Sequence, residues 1–212
     1  MTDAATMPTY RDLMNAMAVD LPETDHDGLT IRRFTVEPNS IENALLAFRE
    51  PGRQARPGTY TRLDKHGRLW MSDTTAERED HMPALRQAVR VGARRILVNG
   101  LGLGMVVKAA LTIPTVEHVD VVEVDPRVAA LVGPHYEASG RVTVHVADAY
   151  EQAKRWPRGT RWDVGWSDIW PDLCADYLPD MARLNRSYGR RCGWHECWGQ
   201  DLIRAHERRH GW

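Results

Sequence analysis

The sequence is short of lysine, cysteine, net charge and long apolar runs, and each shortage closes off a class of protein. Lys65, Lys108 and Lys154 are the only lysines, so the other 25 of the 28 basic residues are arginine, a skew that reads as coding composition and carries no functional weight. Against 29 acidic residues they leave a formal charge of -1. That balance gives no field strong enough to make nucleic acid or an anionic membrane the default partner. Cys174, Cys192 and Cys197 are an odd number in a chain of 212 residues, too large to need stapling. They fit a reducing compartment better than a disulfide framework. No apolar run approaches the roughly 20 residues of a membrane span, and residues 1–13 lack the cationic and then apolar pattern of a signal peptide. The expectation is a cytoplasmic protein that does not enter the membrane.

What is present suits one ordinary globular chain, with 42% hydrophobic and 27% charged residues. Two parts differ in pattern. Residues 1–85 read as an N-terminal lobe: a short helix over 10–17, a polar turn-rich stretch over 22–28, alternation over 30–36, a helix over 39–48 and a Gly/Pro loop over 51–57. Residues 58–63 and 67–71 flank Asp64-Lys65-His66 as a hairpin. A helix over 77–91 leads into the second part, residues 86–212. There, strands at 95–99, 116–123, 141–146 and 161–167 alternate with helices at 105–111 and 126–132, the signature of βαβ units and a parallel sheet. A helix up to residue 188, a last strand over 191–198 and a closing helix from 200 complete the expected α/β, Rossmann-like fold.

The sharpest local signal is Gly100-Leu101-Gly102-Leu103-Gly104, placed after a strand and opening a helix. Alternate glycines let the backbone turn tightly and bring its N–H groups against a ligand. A dinucleotide fingerprint needs its third glycine where Met105 stands, so a smaller adenosyl ligand suits the loop better. The next strand ends Val121-Val122-Glu123-Val124-Asp125, and a carboxylate at Glu123 can accept both hydroxyls of a ribose. Asp125 reads more simply as surface charge. The third strand ends Val146-Ala147-Asp148-Ala149, where Asp148 can accept an adenine amino group and the Ala149 N–H can donate to a ring nitrogen. Asp148 also suits a helix N-cap.

Over residues 94–170 these stretches, with Trp162-Asp163-Val164-Gly165-Trp166-Ser167-Asp168, resemble the cofactor half of class I S-adenosylmethionine-dependent methyltransferases, most of all their spermidine-synthase-like branch. The resemblance implies S-adenosylmethionine, or its decarboxylated form, as ligand, a β-rich lobe ahead of the nucleotide-binding fold, and a lead-in such as Leu69-Trp70-Met71-Ser72-Asp73 through Glu77. Two positions depart from the aminopropyltransferase pattern: Leu103 stands where that branch carries an Asp for the ligand's amino group, and Pro171 where it carries an Asp gripping the amine. Family members usually add two further strands, whereas only about 45 residues follow Asp168. The sheet is therefore expected to be truncated and closed by the lobe or by a partner subunit, as in a homodimer.

Methyl transfer needs chiefly alignment of the acceptor and removal of its proton. Asp168 is the candidate catalytic carboxylate, and Trp166 and Trp170, at alternate positions around it, are candidate acceptor walls; core packing explains the tryptophans equally well. Ser72 and Asp73 serve as well for capping the helix at Glu77 as for touching a ligand. The expected activity is methylation of an unidentified acceptor; aminopropyl transfer and an inactive nucleoside-binding or protein-interaction module are the alternatives. No metal is expected. His206-Glu207-Arg208-Arg209-His210 has zinc-protease spacing but no downstream third ligand, and Cys192, His195 and Cys197 match no common zinc pair. The arginines from 183 to 209 read as the solvated faces of helices.

Overall fold

The computed structural model describes residues 6–38 and 55–210, so the helix expected over 39–48 and the first part of the following loop lie outside the described residues. The chain opens with α1 (Tyr10–Ala16), started by a capping box in which Thr9 and Asp12 satisfy each other's backbone N–H groups. Four antiparallel strands follow in sequential order: β1 (Thr24–His26), β2 (Leu29–Val36), β3 (Gly58–Lys65) and β4 (Arg68–Ser72). β1 lies within the stretch expected to be only a turn. Both hairpins turn on two residues with positive φ, Asp27-Gly28 and His66-Gly67. That geometry matches the right-handed twist of the strands and wants glycine at its centre, so the second turn settles on Gly67, and Asp64 and Lys65 belong to the strand.

Helix α2 (Thr75–Val91) carries the chain to the second sheet, five parallel strands in the order β7-β6-β5-β8-β9. These are β5 (Arg95–Asn99), β6 (His118–Glu123), β7 (Val142–Val146), β8 (Trp162–Ser167) and β9 (Cys192–Cys197). They are connected through α3 (Met105–Ala110), α4 (Pro126–Glu137), α5 (Ala149–Arg155) and α6 (Leu178–Tyr188), and α7 (Gln200–His210) follows β9. The fold is α/β and Rossmann-like, with an antiparallel sheet at its N-terminal side. Its central strands read as continuous apolar runs because both faces are covered. Alternate residues divide between two layers: Ile96, Val98, Val119 and Val121 pack with α2, α3 and the N-terminal sheet, while Leu97 and Val122 pack with α5, α6 and β9.

Two helices differ from expectation. α4 continues through Pro134, held by the buried side chains of Val128, Ala129, Val132 and Tyr136. α6 is shorter, because residues 171–174 are irregular and a 3-10 turn (Ala175–Tyr177) precedes a helix with proline in its first turn. Among the described residues nothing pairs with the outer edge of β9. No helix of the described residues is long and apolar enough to cross a membrane.

The two sheets share one core, in which Leu29, Ile31 and Leu63 pack with Val98, Leu101 and Val121. Polar ties reinforce it. Buried Asp73 accepts from Val19 N at 2.9 Å, Thr61 N at 2.6 Å and Arg78 at 3.2 Å, joining the N-terminal segment, β3 and α2. Lys65 reaches Asp125 at 2.7 Å, and Arg127 donates to Asp27 O at 2.9 Å.

Candidate functional site

A cavity of about 580 Å³ opens at the carboxyl ends of β5, β6 and β8, where parallel sheets offer diverging loops. Gly100, Gly102, Glu123, Asp148, Ala149, Trp166, Asp168 and Trp170 all line it. Gly104 lies outside the lining.

Each glycine of the turn has positive φ, and each admits a close neighbour within the protein. A Cβ on Gly100 would stand 2.0 Å from the Asp168 carbonyl oxygen, one on Gly102 2.2 Å from Met71 Sδ, and one on Gly104 2.1 Å from the Tyr136 ring. Gly104 is thus a packing position, with Tyr136 seated over it and donating to Leu103 O at 2.8 Å. Four N–H groups of the turn are also taken: Gly100 N by Val122 O, Leu101 N by Glu123, Leu103 N by Met71 Sδ and Gly104 N by Leu101 O. A phosphate cradle needs several free N–H groups converging on one point; of these five residues, only Gly102 has an N–H with no acceptor among the described residues. Leu101 and Leu103 are buried in the core, so the cavity above the turn is open to a ligand.

Glu123, buried at the tip of β6, accepts from Leu101 N and from Asp125 N, both at 2.8 Å. It clamps the glycine turn to the loop after its own strand, and each oxygen retains lone-pair capacity for a further donor. Asp125 is no isolated surface charge. It caps α4, pairs with Arg127 and Lys65, and is held below the usual carboxylate range first by the Arg127 hydrogen bond and then by Lys65. Asp148 caps α5, with Oδ1 accepting from Tyr150 N at 2.8 Å and Glu151 N at 3.1 Å; Oδ2 has no partner among the described residues. The cap geometry and a place in the cavity wall coexist in this residue.

Asp168 follows β8, its N–H bonded to Asn99 O at 2.8 Å. Burial, then the nearby charges of Asp80 and Glu77, push its carboxyl up to about 7. Behind it stands a residue that the sequence reading missed. His81, buried on α2, accepts at Nδ1 from Trp166 Nε1 at 3.3 Å, while its Nε2 lies 3.7 Å from Asp168 Oδ2. With Nδ1 accepting, the neutral imidazole carries its proton on Nε2, facing the carboxylate. The available signal was helical spacing: Glu77, Asp80 and His81 fall at i, i+3 and i+4, and all three line the cavity. Trp166 is also stacked on Trp194, with ring centroids 6.4 Å apart, so its ring serves the core and the cavity together. Ser72 and Asp73 are occupied elsewhere: Ser72 is bonded to Glu77, and Asp73 ties the lobe together.

Cys192, His195 and Cys197 form no group suited to a metal ion. His195 is held between Ser167 at 2.9 Å and Asn185 at 2.6 Å, and burial lowers its pKa to about 4. Burial pushes both thiols up to about 12. No grouping of three His, Cys, Asp or Glu side chains suited to a metal ion occurs among the described residues.

No protein-family model matches the chain. By sequence it is similar to polyamine aminopropyltransferases 2 and 1 of Ralstonia nicotianae, each 43% identical over 77 residues. The match covers 32% of this chain but only 15% and 14% of those proteins. Among solved structures, the spermidine synthase of Thermotoga maritima aligns with a TM-score of 0.46 at 15% identity, covering 81% of this chain and 53% of that one. The S-adenosylhomocysteine-bound methyltransferase PaMTH1 of Podospora anserina aligns with a TM-score of 0.42 at 17% identity, covering 57% and 48%. Over those 77 residues the chain is similar to the polyamine aminopropyltransferases, and it spans about a seventh of their length.

Proposed function

We propose that this protein binds S-adenosylmethionine in the cavity at the carboxyl end of its parallel sheet and transfers the methyl group to an amine-bearing acceptor. The observation that carries this reading is the convergence on one cavity of the glycine turn, Glu123, Asp148 and Asp168, which stand at the ends of four separate strands. The volume suits a nucleoside with a short side chain, and the single free N–H of the turn suits a ligand without a pyrophosphate. When bound, S-adenosylmethionine supplies an electrophilic methyl group on a sulfonium.

The chain's own residues do the rest. Glu123 turns its remaining lone pairs to the ribose hydroxyls, Asp148 Oδ2 accepts the adenine amino group, and Ala149 N–H faces the ring. Gly100 and Gly102 let the Asp168 carbonyl and the Met71 thioether close against the turn and so place Asp168 beside it. Trp166 and Trp170 wall the acceptor, and Asp168 takes its proton, with a pKa near neutrality that suits a general base. Glu77, Asp80 and Asp180 add negative charge to the same wall, which favours a cationic acceptor and the sulfonium alike. Calorimetric titration with S-adenosylmethionine and S-adenosylhomocysteine tests the ligand: binding of both is expected, and no heat with either removes it.

Aminopropyl transfer is favoured by one specific observation, the 43% identity to polyamine aminopropyltransferases. Two features weigh against it. Leu103 is fully buried and presents no carboxylate to the cavity, and Pro171 stands in the wall where an acidic side chain would grip an amine. Titration with decarboxylated S-adenosylmethionine separates the two readings: tighter binding of that form supports aminopropyl transfer, and tighter binding of the carboxylated form supports methyl transfer.

A further inference from the structure

At the opposite end of the parallel sheet, where the strands begin, lies a second concavity of about 670 Å³ with a very different lining. Arg183 and Arg186 reach it from one face of α6, and Arg190 from the turn after that helix. Arg158 and Arg161 enter from the segment leading into β8, and Arg191 from the residue before β9. Lys154 completes the rim, and no carboxylate lines the cleft. The chain is almost neutral as a whole, so the local concentration of cations comes from the fold bringing together segments about 30 residues apart in sequence.

Several of these groups are held in place. Arg191 donates to the carbonyls of Pro157 at 3.0 Å and Trp156 at 3.1 Å, and the Arg183 guanidinium lies 4.5 Å over the Tyr150 ring. Others are uncommitted: no carboxylate pairs with Arg158, Arg186 or Arg190 among the described residues. On the rim, Glu151 takes up Lys154 at 2.7 Å. Like charges held together without counterions repel, a cost relieved when an anion enters. Guanidinium forks match phosphate oxygens in pairs.

The geometry points to a nucleic-acid phosphodiester backbone as the occupant of this cleft. The cations come from separate segments: Arg183 and Arg186 stand about one helical turn apart, roughly 5 Å along the axis, Arg190 follows from the turn after that helix, and Arg158 comes from the segment before β8. A single phosphate would engage one or two of them, whereas a chain of phosphates can engage guanidinium groups from several of these segments. A membrane surface fits poorly, since Ala153 is the one aliphatic side chain in the lining and it is buried.

The test is fluorescence anisotropy with a labelled single-stranded oligonucleotide of about 20 nucleotides, titrated at several salt concentrations. The variant Arg158→Gln/Arg186→Gln/Arg190→Gln removes only exposed, unpaired charge, and its thermal midpoint is measured in parallel. Wild type is expected to bind with an affinity that falls steeply with salt. The triple variant should bind at least tenfold more weakly at about 50 mM salt, with a salt slope shallower by about 2, near 0.7 for each lost contact to a single-stranded phosphate. No binding by the wild type at that salt, or equal binding and slope in a folded variant, overturns the inference. Inorganic polyphosphate of matched charge is the competitor: displacement of the oligonucleotide at equal phosphate concentration would show a site for polyanions at large and overturn the assignment to nucleic acid.

Discussion

Replacing Asp168 by asparagine should stabilise the protein at alkaline pH and leave it nearly unchanged in acid, the reverse of what removing a paired surface carboxylate does. An unfolded aspartate titrates near 3.8, and in the native protein burial and the charges of Asp80 and Glu77 raise this carboxyl to about 7. The native state therefore holds the proton more tightly. Its stabilising contribution is complete below the unfolded value and is lost as the pH rises through about 7. Full ionisation at pH 8 costs about 4 kcal/mol on that displacement. The side chain is 27% exposed, so water shares part of the charge and about 2 kcal/mol is the expected observable. For a chain of 212 residues this corresponds to a rise in Tm of about 4–8 °C at pH 8. Calorimetric scans of wild type and Asp168→Asn at pH 4.5, 6, 7 and 8 measure it. Any fixed difference between the two side chains appears at every pH, so the growth of the gap with pH is the quantity to read. A gap that stays constant, or a variant that grows less stable as the pH rises, refutes the account of a buried carboxyl crowded by like charges.

Three further outcomes follow from the same geometry. Asp125→Asn should destabilise by about 2 kcal/mol at pH 7, and urea titrations should show the deficit closing progressively as the pH falls below the ordinary carboxylate range, because a depressed native pKa contributes stability that is complete above the unfolded value and is lost as the pH falls through the native one. Glu123→Ala frees the N–H groups of Leu101 and Asp125 and should cost about 2 kcal/mol in thermal stability, with nucleoside binding weakened at least tenfold by calorimetry. Gly104→Ala forces a Cβ to within 2.1 Å of the Tyr136 ring and should cost about 3 kcal/mol; combining it with Tyr136→Leu should recover part of that loss, which a double-mutant cycle in urea would register.

The parallel sheet was legible because burial on both faces writes itself into sequence as runs such as Ile96-Leu97-Val98 and Val119 to Val122, with their ends marked by glycine or by acidic residues. Gly100, Glu123 and Asp148 were legible for the same reason, since a strand end fixes where the next side chain emerges. Three things were not. The role of Gly104 depends on Tyr136, a contact across 32 residues that no local pattern encodes. His81 looked like any polar residue on an amphipathic helix until the packing of α2 against β8 set it beside Trp166 and Asp168. Strand β1 pairs over only three residues and is too short to carry a periodicity.

The thioether of Met71 caps the Leu103 amide from a residue 32 positions away, on the other sheet. The curvature of the glycine elbow is consequently a joint property of two β-structures. Met71 also lines the cavity, so a change of side-chain length or polarity there would reshape the cavity floor both directly and through the turn. The shape of the cavity is thus set from the hairpin as much as from the parallel sheet.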